Sequence, residues 1–248
     1  MIKSGRVIDP SRGIDTVASI LIDSGRVVEV GMLAGFGSPR PDREVDANGL
    51  IVTPGFVDLH AHLRYPGLPD KETIASGTSA AIRGGFTTVC AMANSKPPVD
   101  SGSRVETVQA RIHAEARCRV HVIGAVSRGL DGHELADSRE LAEAGVVALS
   151  DDGNPVTDQG LMRSALTESE KLGIPVSAHE ETRLHKNANG GGCWPCSGEV
   201  DMVRRDLALL RATGGRLHIA HVSCAESAEL IAKAQSARLQ VTAEATPH

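Results

Sequence analysis

The stretch GFVDLHAHLRYPG, residues 55–67, decides the fold because it ends an apolar run with two histidines and then an arginine. Residues two apart in a β-strand share a face, so His60 and His62 project to the same side. Such a pair can bind one metal ion, although an isolated pair is more often a polar pair at a loop. The stretch therefore predicts a strand whose carboxyl end is a candidate metal site.

Similar apolar runs recur along the chain. They begin near residues 51, 87, 119, 146, 174, 216 and 239 and alternate with amphipathic helical stretches. Repeated β-α units at these spacings favour right-handed crossovers and a parallel sheet. We predict an α/β fold over residues 51–248, a (β/α)₈ TIM-like barrel with seven strands present. A doubly wound open sheet is the alternative, but no G-x-G-x-x-G motif follows any strand.

The first fifty residues have a different pattern. GRVID, ASILIDSGRVVEVG and REVDANGLIVTPG contain short β-branched runs broken by Gly, Asp and Pro. These runs are typical of short strands joined by turns. We predict a small β-sandwich lobe over residues 1–50.

Two helices have clear boundary residues. PDKETIASGTSAAIRGG, residues 69–85, predicts a helix that starts after Pro69 and stops at Gly84. SCAESAELIAKAQ, residues 223–235, predicts a helix whose first turn carries a capping box of Ser223 and Glu226.

Composition excludes several classes of protein. The 248 residues are 41% hydrophobic and carry a net charge of −5, which argues against nucleic acid as a partner. No stretch approaches the length of a membrane span, so we expect no membrane contact and a cytoplasmic location. The five cysteines are an odd number in a chain without a secretion signal, so we expect no disulfide framework. The CWPC pair, Cys193 and Cys196, lacks the second pair of a structural zinc site and keeps no assigned role.

Other strand ends carry the same kind of ligand. IPVSAHEE ends its run with His179, and RLHIAHVS ends its run with His221. His218 lies three residues before His221 and faces the other way, so only His221 is a candidate. VVALSDDGNP ends with Asp151 and Asp152, carboxylates that can bridge two cations. Barrel chemistry lies at the carboxyl ends of strands, which predicts that these side chains converge.

With these residues in view, the sequence resembles the amidohydrolase superfamily and, within it, the dihydroorotases. The motifs that carry the resemblance occur in the family's order and cover most of the chain after residue 50: GFVDLHAHLRYPG, KETIASGTSAAIRGGFTTVCAMANSKPPVD, DDG, AHEE, IAHVS and VTAEATPH. The resemblance implies a zinc centre with two ions per subunit. His60 and His62 would bind one ion, and His179 and His221 the other.

The resemblance also implies a residue on the fourth strand that bridges the ions. Many relatives use a carbamylated lysine, but no lysine lies between Lys96 and Lys171. The bridge is therefore expected to be a carboxylate. Asp152 is our choice because the family places the bridge directly before a glycine, and Asp151 is the alternative.

The substrate residues implied by the resemblance are His62, Arg64 and Asn94. A planar guanidinium at residue 64 can bind an anionic group beside the metals. A rim arginine in a surface ion pair is the structural alternative for Arg64. For Asn94 the alternative is a turn former.

The implied reaction is reversible hydrolysis of (S)-dihydroorotate to N-carbamoyl-L-aspartate, a step of pyrimidine synthesis. In the family an aspartate at the end of strand eight carries the proton, and that strand lies beyond His248. We therefore expect residues 1–248 alone to be inactive. The alternatives are a non-catalytic scaffold subunit for aspartate transcarbamoylase and another cyclic amidase of the hydantoinase or allantoinase type. We also expect a homo-oligomer.

Overall fold

The structure is a computed structural model that describes residues 1–32, 34, 35, 37, 40–181 and 196–246. It divides the chain into two compact units, Met1–Phe56 and Val57–His248. Within the described ranges, no helix is both long and apolar enough to span a bilayer.

The first unit is a five-stranded sheet. Neighbouring strands follow the order β3-β2-β1-β4, and β5 also pairs with β1. The β1–β2 and β2–β3 pairs are antiparallel, whereas β4 and β5 run parallel to β1. The strands are β1 (Ile2–Asp9), β2 (Ile14–Asp23), β3 (Arg26–Gly31), β4 (Val45–Asp46) and β5 (Ile51–Val52).

Local sequence explains this sheet. Ser24 and Gly25 join β2 to β3 with φ of 49° and 75°, the two positive values that a type I′ hairpin requires. Val7, Ala18 and Ile20 are the buried side chains of its core. The prediction of an N-terminal β lobe is confirmed as this sheet. The second layer of a sandwich and a boundary after residue 50 stay predictions.

The second unit contains a sheet of seven strands whose order, β12-β11-β10-β9-β8-β7-β6, follows the chain without a reversal. Registered pairs from β7 to β12 are parallel. A doubly wound sheet reverses its strand order at a switch point, so this order confirms the barrel-type fold. The strands are β6 (Phe56–Ala61), β7 (Phe86–Ala91), β8 (Arg119–Gly124), β9 (Ala148–Leu149), β10 (Val176–Ala178), β11 (Leu217–Ile219) and β12 (Val241–Ala243).

Among the described residues, one α-helix lies between each pair of successive strands in this unit. The main core lies between these helices and the sheet, where Leu149, Leu166, Val203, Leu210 and Ile219 are buried. The helices are α1 (Ile74–Arg83), α2 (Gly102–Glu115), α3 (Ser138–Glu143), α4 (Gln159–Leu172), α5 (Cys196–Thr213) and α6 (Ala225–Ser236).

The first barrel strand begins later than the sequence pattern predicts. Residues 51–52 pair with β1 of the first unit, and β6 begins only at Phe56. Pro54 lacks an N–H and Gly55 weakens a strand, so the apolar run is interrupted between the two elements.

The two predicted helix starts are also wrong in detail. Helix α1 begins at Ile74 because Thr73 and Ser76 form a capping box there. The predicted capping box of α6 does not form, since its N-cap is Cys224 and makes no side-chain cap bond. Glu199 replaces that cap by accepting hydrogen bonds from the backbone N–H groups of Ser223 and Cys224, at 3.0 and 3.1 Å.

Candidate metal centre

The candidate site lies at the carboxyl ends of the strands, where the chain leaves the sheet. His60 is within β6, His179 directly follows β10, and His221 lies two residues beyond β11. Asp152 follows β9 after three residues. These positions bring together side chains that are far apart in sequence, as the strand-end argument predicts.

Asp152 is at the centre of this group and is 5% exposed. Its Oδ1 lies 3.1 Å from His60 Nε2, 3.3 Å from His179 Nδ1 and 3.4 Å from His221 Nε2. Its Oδ2 lies 3.5 Å from His62 Nε2. Nδ1 of His179 and Nε2 of His221 are themselves 2.9 Å apart. All five predicted ligand residues therefore meet around one carboxylate.

The spacing of these atoms suits a metal ion. Zinc–nitrogen bonds of about 2.0–2.1 Å in a tetrahedron place neighbouring ligand atoms about 3.3 Å apart. Ligand atoms of His60, Asp152 and His221 all lie within 4.8 Å of one another. Imidazole nitrogen and carboxylate oxygen are also the donors that zinc accepts. The chain thus contains a His/Asp group that can hold a metal.

Asp151 and Asp152 have separate environments. Oδ1 of Asp151 accepts hydrogen bonds from the backbone N–H groups of Val126 and Ser127, at 2.8 and 3.0 Å, and its Oδ2 accepts one from the Ser127 hydroxyl. The Asp151 carboxylate is therefore occupied by the loop after β8. Asp152 alone points toward the histidines.

The pKa values of the site follow from these partners. Burial alone raises the pKa of Asp152, but hydrogen bonds from His179, His221 and His60 outweigh it and hold the pKa well below its usual range. Burial lowers the pKa of His60, but its bonds to Asp152 and Glu244 outweigh burial and raise it to about 9. The pKa of His62 is lowered, chiefly by burial. Without a metal, protons on imidazoles supply the positive charge that Asp152 requires.

Asn94 joins the predicted substrate residues to this centre. Its side-chain N–H donates to Asp152 Oδ2 at 3.1 Å, and its Oδ1 lies 3.1 Å from His62 Nδ1. The Arg64 guanidinium donates to the same oxygen at 3.3 Å. Among the residues that the structure describes, Arg64 has no carboxylate partner in an ion pair. The rim ion pair considered for Arg64 is therefore not found in the described part of the chain.

Backbone strain marks two of these positions. Arg64 has φ of 55° and His221 has φ of 39°, in the left-handed region that non-glycine residues rarely adopt. Such conformations cluster at functional sites because the surrounding structure must enforce them. The strain at His221 accompanies its contact with Asp152.

Sequence reasoning missed two acidic residues of the site. Glu244 directly follows β12 and lies 2.7 Å from His60 Nδ1, and Glu181 lies 2.9 Å from His179 Nε2. Both are polar residues at strand ends, so the rule that selected the histidines could have found them. The prediction that His218 is not a ligand stays a prediction, and its Nε2 lies 3.4 Å from Glu244.

The expectation of no disulfide is wrong for one pair. Cys196, the first residue of α5, is bonded to Cys224, the N-cap of α6, with Cα atoms 5.6 Å apart. The fold brings the starts of two helices together across 28 residues, and sequence spacing alone does not reveal this. Cys193 lies outside the described residues.

Comparisons with known proteins agree with this geometry. A family model described as Dihydro-orotase-like matches residues 49–227. The dihydroorotase of Anaeromyxobacter sp. (strain K) is 48% identical over 258 residues, covering 100% of this chain and 59% of that protein. The dihydroorotase of Elusimicrobium minutum (strain Pei191) is 42% identical over 259 residues, again covering 100% of this chain and 59% of that protein. This chain therefore spans about three fifths of the length of these relatives.

Solved structures show the same fold. The L-hydantoinase (dihydropyrimidinase) of Arthrobacter aurescens superposes with a TM-score of 0.86 over 99% of this chain and 58% of that chain, at 23% identity. At that identity the likeness supports the architecture alone. The family match and the two dihydroorotase relatives extend over the motifs that carry the site. The chain therefore belongs to the dihydroorotase-like family.

Proposed function

We propose that the protein is a zinc-dependent cyclic amidohydrolase that interconverts dihydroorotate and N-carbamoyl-aspartate in pyrimidine synthesis. Family membership and relatives named dihydroorotase support this substrate class. The observation that carries the proposal is the convergence of four imidazoles on the Asp152 carboxylate.

The centre holds two zinc ions in this proposal. Asp152 would be the residue shared by both ions, because its two oxygens face different histidines. Bound zinc supplies an activated water and polarises the amide carbonyl under attack. The earlier pairing of His60 with His62 on one ion stays a prediction, since Oδ1 is near His60 and Oδ2 near His62.

The bridge separates this chain from relatives that carry a carbamylated lysine. No lysine lies between Lys96 and Lys171, and the Asp152 carboxylate already occupies the centre of the histidines. Turnover by a form that includes the predicted eighth strand should therefore be unchanged when bicarbonate is removed from the assay. A reversible loss of activity on removal of bicarbonate would contradict the carboxylate bridge.

Arg64, Asn94 and His62 bind the substrate carboxylate. Arg64 is suited to this role because it donates a hydrogen bond to the neutral Asn94 and no carboxylate among the described residues compensates its charge. Asn94 links Arg64 to the metal centre, because the same Asn94 side chain also donates a hydrogen bond to Asp152. A bound carboxylate would therefore be oriented next to the amide that is hydrolysed.

Two other functions are the alternatives. Hydantoinases and allantoinases act on related rings, and a scaffold subunit for aspartate transcarbamoylase would need no metal. The complete set of five predicted ligand residues favours a metal hydrolase over the scaffold. The proton-carrying aspartate of an eighth strand, the homo-oligomer and the cytoplasmic location stay predictions.

The discriminating experiment replaces Arg64 with Ala in a purified, zinc-loaded form that includes the predicted eighth strand. We expect kcat/KM for dihydroorotate to fall by about 10- to 100-fold, because a lost bond to a charged group costs about 1.5–3 kcal/mol. Hydrolysis of hydantoin, which has no carboxylate, should change little. The matched control is Arg128→Ala, an exposed arginine paired with Glu134 at 3.3 Å, which should leave both rates unchanged. Equal losses for both substrates would contradict carboxylate binding by Arg64.

A further inference from the structure

Glu244 contacts the candidate ligand His60 on the side of the ring that faces away from Asp152. Its Oε1 lies 2.7 Å from Nδ1 of His60, while Nε2 of the same ring lies 3.1 Å from Asp152 Oδ1. The two ring nitrogens therefore have different partners. One faces the metal centre, and the other faces a carboxylate outside it.

The sheet itself does not link the strands that carry this contact. β6 carries His60, Glu244 directly follows β12, and these strands are the two ends of the seven-stranded order. Among the described strands, no ladder of backbone hydrogen bonds joins β6 to β12. The bond between His60 and Glu244 therefore joins two strands that are not hydrogen-bonded to each other through their backbones.

Glu244 is anchored in turn by β11. Its Oε2 lies 3.4 Å from Nε2 of His218, and Nδ1 of His218 lies 2.8 Å from the Thr242 hydroxyl. His218 and Thr242 are register partners on neighbouring strands, and His218 is buried. The carboxylate that contacts His60 therefore lies against a buried histidine, which is itself held by Thr242.

A carboxylate can only accept a hydrogen bond, so Nδ1 of His60 must carry a proton where it contacts Glu244. Nε2 would give up its own proton on binding a metal, and its lone pair would then point to the side of the ring where Asp152 lies. We propose that Glu244 is a positioning residue that fixes this tautomer and ring orientation and thereby sets the zinc affinity of the centre. This inference rests on the proposed zinc function.

The test is a zinc titration of the chain by competition with a chelator. Residues that orient a metal-binding histidine typically change metal affinity by 10–100-fold when removed. We expect Glu244→Ala to weaken zinc binding by about 10- to 100-fold. Glu244→Gln should restore part of that loss, because its amide oxygen still accepts from Nδ1–H. The control is Glu226→Gln, an exposed glutamate that pairs with Arg204, and it should bind zinc as the wild type does.

A proton NMR measurement on the zinc-loaded chain separates positioning from a general loss of structure. The wild type should give a slowly exchanging, downfield Nδ1–H resonance, assigned to His60 by its absence in His60→Asn. This resonance should persist in Glu244→Gln and disappear in Glu244→Ala. If Glu244→Ala does not fold by circular dichroism, the Gln variant alone must show weakened zinc binding with the resonance retained.

The two proposals fail in different ways. A wild-type chain that binds no zinc would overturn the metal centre and this inference with it. Wild-type zinc affinity in a folded Glu244→Ala variant, or in the Gln variant when the Ala variant does not fold, would overturn only the role of Glu244. Loss of affinity with the Nδ1–H resonance intact in Glu244→Ala would also overturn it.

Discussion

Two regions of the second unit contain buried carboxylates whose pKa values are shifted in opposite directions. At the metal centre, Asp152 is 5% exposed and its pKa lies well below the usual range. In the buried acid pair, which we define as Glu180 and Asp206, the pKa values of both carboxyls are raised. Burial raises the pKa in every case, so burial alone does not separate the two regions.

The difference lies in their partners. Asp152 receives hydrogen bonds from three imidazoles, whereas Glu180 faces Asp206, and Arg205 is the one cation that interacts with this pair among the described residues. Nε of Arg205 donates to Asp206 at 2.6 Å, and its Nη1 donates to the Thr157 carbonyl at 3.1 Å. One cation cannot neutralise two carboxylates, so the pair retains a proton. At the metal centre, by contrast, several imidazoles surround one carboxylate, and this combination of ligands can bind a metal cation.

The largest predicted effect is at the metal centre. Asp152→Asn should weaken zinc binding by on the order of 1,000-fold, because it removes the charge that all four histidines face. Residues that only hydrogen-bond a metal ligand already change metal affinity by about 10- to 100-fold, and a ligand itself should matter more. Chelator competition measures this change.

Its matched control is the neighbouring Asp151. Two oxygens of Asp151 accept three hydrogen bonds from residues 126 and 127, and Asp151→Asn replaces one of these oxygens with an NH2 group that cannot accept, so it should lower the free energy of unfolding by about 1–3 kcal/mol. Zinc affinity should stay within about threefold of the wild type. If the two variants lost zinc equally, the separation of the two environments would be wrong.

The next effect concerns α5, the helix that carries Asp206 of the acid pair. Cys196 of α5 is bonded to Cys224 of α6 across 28 residues. Replacing both with Ser should lower the free energy of unfolding by on the order of 3 kcal/mol in denaturant titrations, since a closed loop of that length restrains the unfolded chain. Cys118→Ser, at a free cysteine, is the control. Unchanged stability of the double variant would show that this bond contributes nothing to the fold.

The smallest predicted effect is the pH dependence of the acid pair. The raised pKa of Asp206 means that the folded chain keeps a proton that the unfolded chain releases above its ordinary pKa of 3.8. Stability therefore falls as the pH rises above that value, by up to about 1.4 kcal/mol per pH unit for one proton, until the folded-state pKa is passed. Asp206→Asn removes one acid and should flatten this decline.

Urea titrations between about pH 4 and 7 measure that slope. Asp201→Asn, on the exposed face of the same helix, removes an acid whose side chain is 70% exposed and should leave the slope unchanged. A steeper decline in Asp206→Asn than in the wild type would mean that the pair does not hold an extra proton.

Much of this architecture could be predicted from sequence because it depends on short-range periodicity. The period of two along a strand selects His60 and His62, and the rule of strand carboxyl ends selects His179 and His221. The same rule leaves Asp151 and Asp152 unresolved. Adjacent residues turn to different sides, and only the contacts of residues 126 and 127 show which acid is occupied.

The rest depends on contacts between distant segments. Glu244 lies 184 residues from His60, and its partner is set by which strands end the sheet. Cys224 and Cys196 meet because two helices start at neighbouring places. The acid pair is similar, since His179 and Glu180 are adjacent yet contribute to different regions. No pattern within one segment indicates these pairings.

The central claim is that the imidazoles around Asp152 form a zinc centre, and X-ray absorption at the zinc edge tests it most directly. In the zinc-loaded chain we predict nitrogen and oxygen ligands at about 2.0–2.1 Å, with the outer-shell scattering of imidazole rings. The Asp152→Asn variant should lose most of this bound zinc. A sulfur shell at about 2.3 Å would place zinc on cysteine instead and contradict the account, as would a spectrum without imidazole scattering.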